Sequence, residues 1–346
     1  MNKRWNIISG LLLIPGLVGL LVVPVSQANE MKRVIILETM LVKAVLDHTH
    51  WFVTQLKEMG YEEGKNLDLI ILKAEGDRGR AVSLLENAMA EGRPDLVVTN
   101  ATLASQEAAK ILEGKGIPQI FLTVSDPVGA GLIKEVGVPT GTHITGKVHA
   151  ISRTTRIDMV MRMLGQAVKK RPIRFGYIFS SYPSSVGELR ELNKVAMKRD
   201  DVVFIPYQLE YKTVPEGLPA MMKDVLAGIA ELQDRVDFWW EPSGPLGETN
   251  EYTDTLIANS RIPIAFGTKL DSVKRGTLLH ITPNMEDSGR ETAMLADAIL
   301  KGADPGTIPP NPPGSFTVGV NLATALQYKI VIPPDILDLA GEHIYR

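Results

Sequence analysis

Short apolar runs alternate along the chain with longer segments in which apolar residues recur every three or four positions. The short runs predict β-strands and the longer, amphipathic segments predict α-helices. In the first part of the chain the predicted elements are strand 34–37, helix 42–59, strand 67–72, helix 79–90 and strand 96–99. This alternation of strand and helix predicts a parallel sheet with helices on both faces.

The same rhythm starts again after Gly146. The predicted elements there are helix 153–168, strand 173–179, helix 186–198, strand 202–206, helix 218–232 and strand 236–240. The two halves share an architecture and no obvious sequence repeat. A length of 346 residues also favours two domains. We therefore expect an α/β protein with two lobes, each built on a parallel sheet.

Three stretches are candidates for the connections between the lobes. Residues 145–152 lead from the first half to the second, residues 279–284 lead back, and the proline-rich segment 306–316 offers a third crossing. The proline density of 308–313 excludes a helix or a central strand, so this segment is predicted to be an extended connector. A chain that crosses more than once constrains two lobes to hinge as rigid bodies.

The first 28 residues have the pattern of a secretory signal peptide. Lys3 and Arg4 precede an apolar run at 7–23, and small residues precede a predicted cleavage site after Ala28. The alternative is an uncleaved membrane anchor, which is disfavoured because Pro15 interrupts the run and the run is short for a span. We therefore expect an exported protein.

The composition limits the compartments and the partners that are expected for this protein. The sequence contains no cysteine, so an exported fold must be held by its core, and a lipoprotein anchor is not expected. A free exported protein is most useful in a closed compartment, which favours the periplasm. Removal of residues 1–28 takes away two positive charges and moves the formal net charge from −3 to −5. This acidity argues against nucleic acid as a partner.

The sequence offers no motif for catalysis, a cofactor or a metal. The patterns GxSxG and GxGxxG and the Walker loop are missing. His48 and His50 would diverge by about 200° on a helix, which does not suit a metal site. Only three carboxylates, Glu38, Asp126 and Glu241, follow predicted strands. We expect neither an enzyme nor a cofactor.

Polar and small residues follow the predicted strands of the first half, where open α/β sheets bind ligands. The candidates are Glu38, Thr39, Thr99, Asn100, Ala101, Thr102, Ser125 and Asp126. The group around Thr102 opens a helix, whose free N–H groups and dipole would bind a carboxylate. The same residue types also serve as ordinary helix caps. Asp126 precedes Pro127, so a role in starting a turn is an equal alternative.

The second half offers an equivalent set. The candidates are Ser181, Tyr182, Ser184, Ser185, Glu241 and Ser243. Hydroxyl groups at a strand-to-helix turn suit a small polar ligand, and Tyr182 provides a face for stacking. A solvated, serine-rich turn is the alternative interpretation.

Several motifs carry a resemblance to a known family. Residues 117–146 read IPQIFLTVSDPVGAGLIKEVGVPTGTHITG and follow the motifs GYEEGKNLDL and AEGD. With these motifs, the chain resembles the periplasmic substrate-binding proteins of ABC transporters over about residues 34–344. The resemblance is to the subfamily with tryptophan- and tyrosine-binding members. The resemblance implies a type I fold with two doubly wound parallel-sheet lobes and a multi-strand hinge. The implied N-terminal lobe is 29–147 with 284–313, and the implied C-terminal lobe is 148–283 with 314–346.

The resemblance also implies a function. We expect a monomer that captures a small polar ligand, amino-acid-like or a small carboxylate, and delivers it to an ABC transporter permease in the inner membrane. The alternative is a periplasmic sensing module that signals to a membrane-bound protein. The chain departs from the family at Gly244, near which the amino-acid binders carry an aspartate that pairs with the ligand's ammonium. Glu241 and Glu38 remain as substitutes, and the departure weakens the expectation of an amino-acid ligand.

Overall fold

The computed structural model describes residues 30–40, 42–165 and 167–346. The predicted signal peptide, residues 1–28, lies outside the described residues. Residues Met31–Arg346 form one compact unit. Within the described part of the chain, every helix is too short or too polar to cross a membrane.

The described chain contains two β-sheets and the helices that cover them. The strands are β1 Lys32–Glu38, β2 Leu67–Lys73, β3 Leu96–Asn100, β4 Gln119–Val124, β5 Ile144–Val148, β6 Ile173–Ser180, β7 Val202–Leu209, β8 Phe238–Trp240, β9 Ile264–Gly267, β10 Leu279–Pro283, β11 Phe316–Asn321 and β12 Ile344–Tyr345. The helices are α1 Lys43–Glu58, α2 Arg78–Glu91, α3 Thr102–Leu112, α4 Arg153–Leu164, α5 Pro183–Ala196, α6 Leu218–Leu232, α7 Asn250–Asn259, α8 Leu270–Arg275, α9 Met285–Leu300, α10 Leu322–Gln327 and α11 Pro334–Ala340, with a 3₁₀ turn at Pro305–Thr307.

The first sheet has five parallel strands in the order β2-β1-β3-β4-β5. Alternate residues of β1 face opposite sides of the sheet, and both sides are buried. Val34 and Ile36 pack with Phe52 of α1 and Ala293 of α9. The opposite face is covered by α2 and α3. The residues that meet there are Ile35, Leu37, Leu85, Ala104 and Ala108.

The second sheet has seven strands in the order β12-β11-β10-β9-β8-β6-β7. All neighbours are parallel except β10 and β11, which are antiparallel. The exception follows from the path of the chain, because β11 starts opposite Pro283, where β10 ends, and must run back along it. The predicted α/β class with two parallel-sheet lobes is confirmed, with this one antiparallel pair added.

The chain passes between the two sheets three times. It passes after β5, between β10 and α9, and before β11. The proline-rich connector before β11 lies beside β5, where Val148 N donates to Asn311 O at 3.0 Å and Thr145 Oγ1 donates to Ile308 O at 2.9 Å. These two hydrogen bonds therefore hold two of the crossings side by side.

Helix α9 can pack closely against α1 only because residue 289 is glycine. A Cβ added at Gly289 would lie 2.7 Å from the Cβ of Trp51 and 2.8 Å from the carbonyl oxygen of His48. We expect Gly289→Ala to lower the free energy of unfolding by about 1 to 3 kcal/mol, because overpacking forces the two helices apart. Urea denaturation followed by circular dichroism measures this change.

Gly79→Ala is the matched control. Gly79 is exposed in the first turn of α2, where alanine stabilises a helix and meets no close neighbour. We expect this variant to be as stable as the unchanged protein or slightly more stable. Equal stability of the two variants would contradict the tight packing of α9 on α1.

Candidate functional site

The carboxyl ends of strands from both sheets meet at one cavity of about 80 Å³. Its wall includes residues that follow β1, β3 and β4 in the first lobe and β6, β8 and β9 in the second. Ligands of open α/β sheets bind at this end of the strands. A cavity of this volume exceeds the space that a single water molecule needs. We call it the inner cavity.

Six of the predicted site residues lie in the wall of the inner cavity. They are Ala101, Thr102, Ser125, Tyr182, Ser184 and Ser243. Three come from each lobe, so the structure brings together the two sets that the sequence suggested separately.

Two helices begin at the inner cavity, α3 at Thr102 and α5 at Pro183. Pro183 has no N–H, so the first N–H group of α5 is that of Ser184. The first N–H groups of the two helices and the positive ends of their dipoles favour a negative or acceptor group there. The hydroxyls of Thr102 and Ser184 have no hydrogen-bond partner among the described residues, so both are free to bind a ligand.

Ala101 has a φ of +77°, a conformation that non-glycine residues adopt at a cost of about 1–3 kcal/mol. This strained turn starts α3 at the cavity wall.

The other predicted residues of β1 and β3 lie behind this wall. Thr39 Oγ1 accepts from Ala104 N at 2.9 Å and donates to Asn100 O at 3.1 Å. Asn100 Nδ2 donates to Val45 O at 2.9 Å and to Thr49 Oγ1 at 3.0 Å. These side chains hold α1 and α3 against the strand ends.

Glu38 and Thr99 are also buried behind the wall. Burial raises the pKa of Glu38, although a hydrogen bond from Thr49 opposes the shift. Thr99 Oγ1 accepts from Ser105 Oγ at 3.0 Å and from Gln119 Nε2 at 3.1 Å. Neither side chain lines the inner cavity.

Glu241 follows β8 as predicted, but its carboxylate is engaged within the second lobe. It accepts hydrogen bonds from Thr253 Oγ1 at 2.6 Å, Ser272 Oγ at 2.7 Å and Thr268 N at 3.1 Å. The side chain is fully buried and does not line the inner cavity. These three hydrogen bonds occupy most of the acceptor capacity of the carboxylate, so little of it remains for a ligand.

Three further predicted residues make local contacts outside the wall. Ser181 Oγ accepts from Tyr211 N at 2.9 Å, and Ser185 Oγ donates to Ser243 O. Asp126 accepts from Gly129 N at 2.8 Å, which is the contact of a turn-forming carboxylate. Asp126 also forms an ion pair with Arg190 of α5, so it links the two lobes.

The structure adds a buried ion cluster that the sequence analysis did not find. Glu188 of α5 pairs with Arg156 at 2.7 Å and with Arg153 at 2.9 Å, and both arginines belong to α4. Burial opposes ionisation of Glu188, but the two guanidinium groups outweigh it and lower its pKa. Two cations share one anion, which leaves one positive charge in surplus.

Arg156 brings this charge to the inner cavity. Its guanidinium lies 5.5 Å from the centre of the Phe266 ring, and both side chains line the wall. Arg156 Nε has no hydrogen-bond partner among the described residues. Arg153 Nη2 donates to Ser125 O at 2.9 Å, which ties the cluster to the first lobe. The cluster therefore brings a surplus positive charge to the wall of the inner cavity.

Two histidines meet beside Arg156. The rings of His48 and His149 lie edge to face, with their centres 4.9 Å apart, and His149 lines the inner cavity. Burial lowers the pKa of His149 well below its usual value, and the nearby His48, His280 and Arg156 lower it further. The ring is therefore neutral at pH 7. No cluster of metal-ligating side chains occurs among the described residues.

Glu248 also lines the inner cavity and was missed from the sequence. It follows β8 by eight residues in a segment without periodicity, so no pattern singled it out. Burial raises its pKa to about 7, with Lys269 lowering it and Glu241 raising it. Glu248 also lines a second, larger cavity of about 710 Å³ between the lobes, which we call the outer cavity.

Comparison with known proteins agrees with this architecture. The family model for ABC transporter substrate binding proteins matches residues 34–344. The chain is 26% identical over 260 residues to the tyrosine-binding protein of Clostridioides difficile (strain R20291), covering 75% of this chain and 69% of that protein.

Solved structures show the same fold. The ABC domain in complex with L-Trp from Streptococcus pneumoniae superposes with a TM-score of 0.75 at 20% identity, covering 92% of this chain and all of that one. A conserved domain protein from Vibrio cholerae gives a TM-score of 0.74 at 22% identity, with the same coverage. The family match spans nearly all of the described chain, and the protein therefore belongs to the ABC transporter substrate-binding proteins, with the type I periplasmic binding fold.

Proposed function

We propose that this protein captures a small polar ligand, amino-acid-like or a small carboxylate, in the inner cavity and delivers it to an ABC transporter permease in the inner membrane. The observation that carries the proposal is that both lobes wall the inner cavity, where two helices begin and Arg156 forms part of the lining. The predicted signal peptide supports a periplasmic location. The protein acts as a monomer and makes or breaks no bond.

The two lobes contribute separate contacts, which is the basis of capture. Thr102 and Ser125 bind the ligand from the first lobe, while Tyr182, Ser184 and Ser243 bind it from the second. A ligand held by both lobes has more contacts in the closed form than in the open form. It therefore shifts the equilibrium towards closure, which equal contacts in both forms could not do. The permease then recognises the closed form.

The charges favour a ligand that carries a carboxylate. The cluster of Arg153, Arg156 and Glu188 has one surplus positive charge, and the N-terminus of α5 adds to the positive potential. A guanidinium and a carboxylate form strong, charge-assisted hydrogen bonds. The names of two relatives, a tyrosine-binding protein and an L-Trp complex, support an amino-acid-like molecule for this chain too.

The double variant Thr102→Ala with Ser184→Ala tests the site. Each substitution removes one free hydroxyl from the cavity wall, and each neutral hydrogen bond contributes about 0.5–1.5 kcal/mol. We expect ligand affinity to fall about tenfold while the melting temperature without ligand stays the same. The ligand is found by thermal-shift screening of the mature protein against amino acids and small carboxylates. Isothermal titration calorimetry then measures the affinity.

Thr54→Ala with Ser83→Ala is the control, because these residues lie on α1 and α2 outside the inner cavity. The control variant should bind the ligand as tightly as the unchanged protein. Unchanged affinity in the Thr102 and Ser184 variant would remove both helix N-termini from the site.

A further inference from the structure

The loop between β2 and α2 carries the AEGD motif, residues 74–77, and contacts the second lobe at Gly76. A Cβ added at Gly76 would lie 2.7 Å from Tyr211 Oη and 2.8 Å from Thr213 Cγ2. Tyr211 and Thr213 follow β7, so this contact joins one loop of each lobe. We call it the Gly76 contact. None of its three residues lines the inner cavity.

The first lobe holds its side of the Gly76 contact by the backbone. Ala74 N donates to Glu38 O at 2.9 Å, and Gly76 N donates to Thr39 O. Gly76 has a φ of +80°, in the left-handed region that favours glycine. The loop therefore presents its main chain, and not a side chain, to the second lobe.

The second lobe holds the other side of the contact. Tyr211 N donates to Ser181 Oγ at 2.9 Å, and the rings of Tyr211 and Tyr182 lie edge to face with their centres 4.9 Å apart. Gly217 N donates to Thr213 O at 2.6 Å. Each side of the Gly76 contact is therefore positioned by residues of its own lobe.

The Gly76 contact continues into an apolar cluster that also joins the lobes. Tyr182 and Tyr211 of the second lobe pack in this cluster with residues of the first lobe, which are Met40, Val45, Ala101 and Leu103. Tyr182 also lines the inner cavity. Closure that brings Tyr211 onto Gly76 therefore also brings Tyr182 into the cavity wall.

A side chain at residue 76 would act differently on the open and closed forms. The backbone strain of a non-glycine residue at this φ is the same in both forms, because it is local to the loop. The clash with Tyr211 and Thr213 arises only when the lobes are together. Such a side chain therefore lowers the fraction of closed molecules. Apparent affinity falls with the fraction of the binding-competent form, so it falls by one factor for every ligand.

We propose that Gly76 is a positioning residue for closure: its missing side chain lets Tyr211 and Thr213 pack on the loop after β2, and this contact sets the affinity for every ligand by a common factor. The role of Gly76 rests on the proposed function, because it presupposes closure on a ligand. It gives the AEGD motif a task that needs no contact with the ligand.

The test compares Gly76→Ala with Gly64→Ala, the matched control. Gly64 has a φ of +77°, and a Cβ there meets nothing within 4 Å. Both variants therefore carry similar backbone strain, and only Gly76→Ala adds a clash between the lobes. Isothermal titration calorimetry measures the affinity of each compound that the thermal-shift screen finds. We expect Gly76→Ala to bind all of them about tenfold or more weakly than Gly64→Ala, by one common factor, because overpacking opposes closure.

A rescue variant adds Tyr211→Phe and Thr213→Ser to Gly76→Ala. These changes remove Tyr211 Oη and Thr213 Cγ2, the two atoms nearest to the added Cβ. We expect the rescue variant to bind within about threefold of Gly64→Ala, because residues in contact are energetically coupled. Melting temperatures report whether each variant folds.

Small-angle X-ray scattering adds a measurement that needs no ligand. Without any compound, we expect Gly76→Ala to have a larger radius of gyration than Gly64→Ala. Equal affinities of these two variants, or a rescue variant as weak as Gly76→Ala, would overturn the role of Gly76 alone. Binding of no compound by the unchanged protein would instead overturn the proposed function, and equal radii of gyration would then overturn the role of Gly76 as well.

Discussion

The sharing of one buried carboxylate by two buried guanidinium groups is the interaction on which the site depends. Glu188 holds Arg153 and Arg156 between α4 and α5, immediately after the chain enters the second lobe. Loss of one partner of a buried ion pair costs about 3–5 kcal/mol, so the three residues constrain each other strongly. The same cluster reaches the first lobe through Ser125 O. It therefore places a charge in the inner cavity and joins the two walls around it.

Much of the fold could be predicted from the sequence because clear helices follow β1, β2 and β3. Their apolar runs were located to within two residues at either end. The elements after residue 240 were harder to predict. β9 has four residues and α8 has six, which are too few to show a hydrophobic periodicity. The antiparallel direction of β11 depends on a crossing between lobes, which no local pattern encodes.

Of the strand-end residues predicted for the site, some line the inner cavity and others do not. Thr102 and Ser184 line the inner cavity, whereas Glu38 and Glu241 follow strands but turn into their own lobes. Side-chain direction at a strand end depends on tertiary packing. Arg156 was not predicted as a site residue, because an arginine in an amphipathic helix is expected on the solvent face. In the structure Arg156 is only 8% exposed.

The distance between the two lobes tests most directly whether they close on a ligand. The sequence has no cysteine, so Ser83→Cys in α2 and Glu231→Cys in α6 would carry two unique spin labels. Pulsed electron paramagnetic resonance then measures the label-to-label distance with and without the tightest-binding compound from the thermal-shift screen of amino acids and small carboxylates. We predict that saturating ligand shortens and narrows the distance distribution. Identical distributions at saturation would contradict capture by closure.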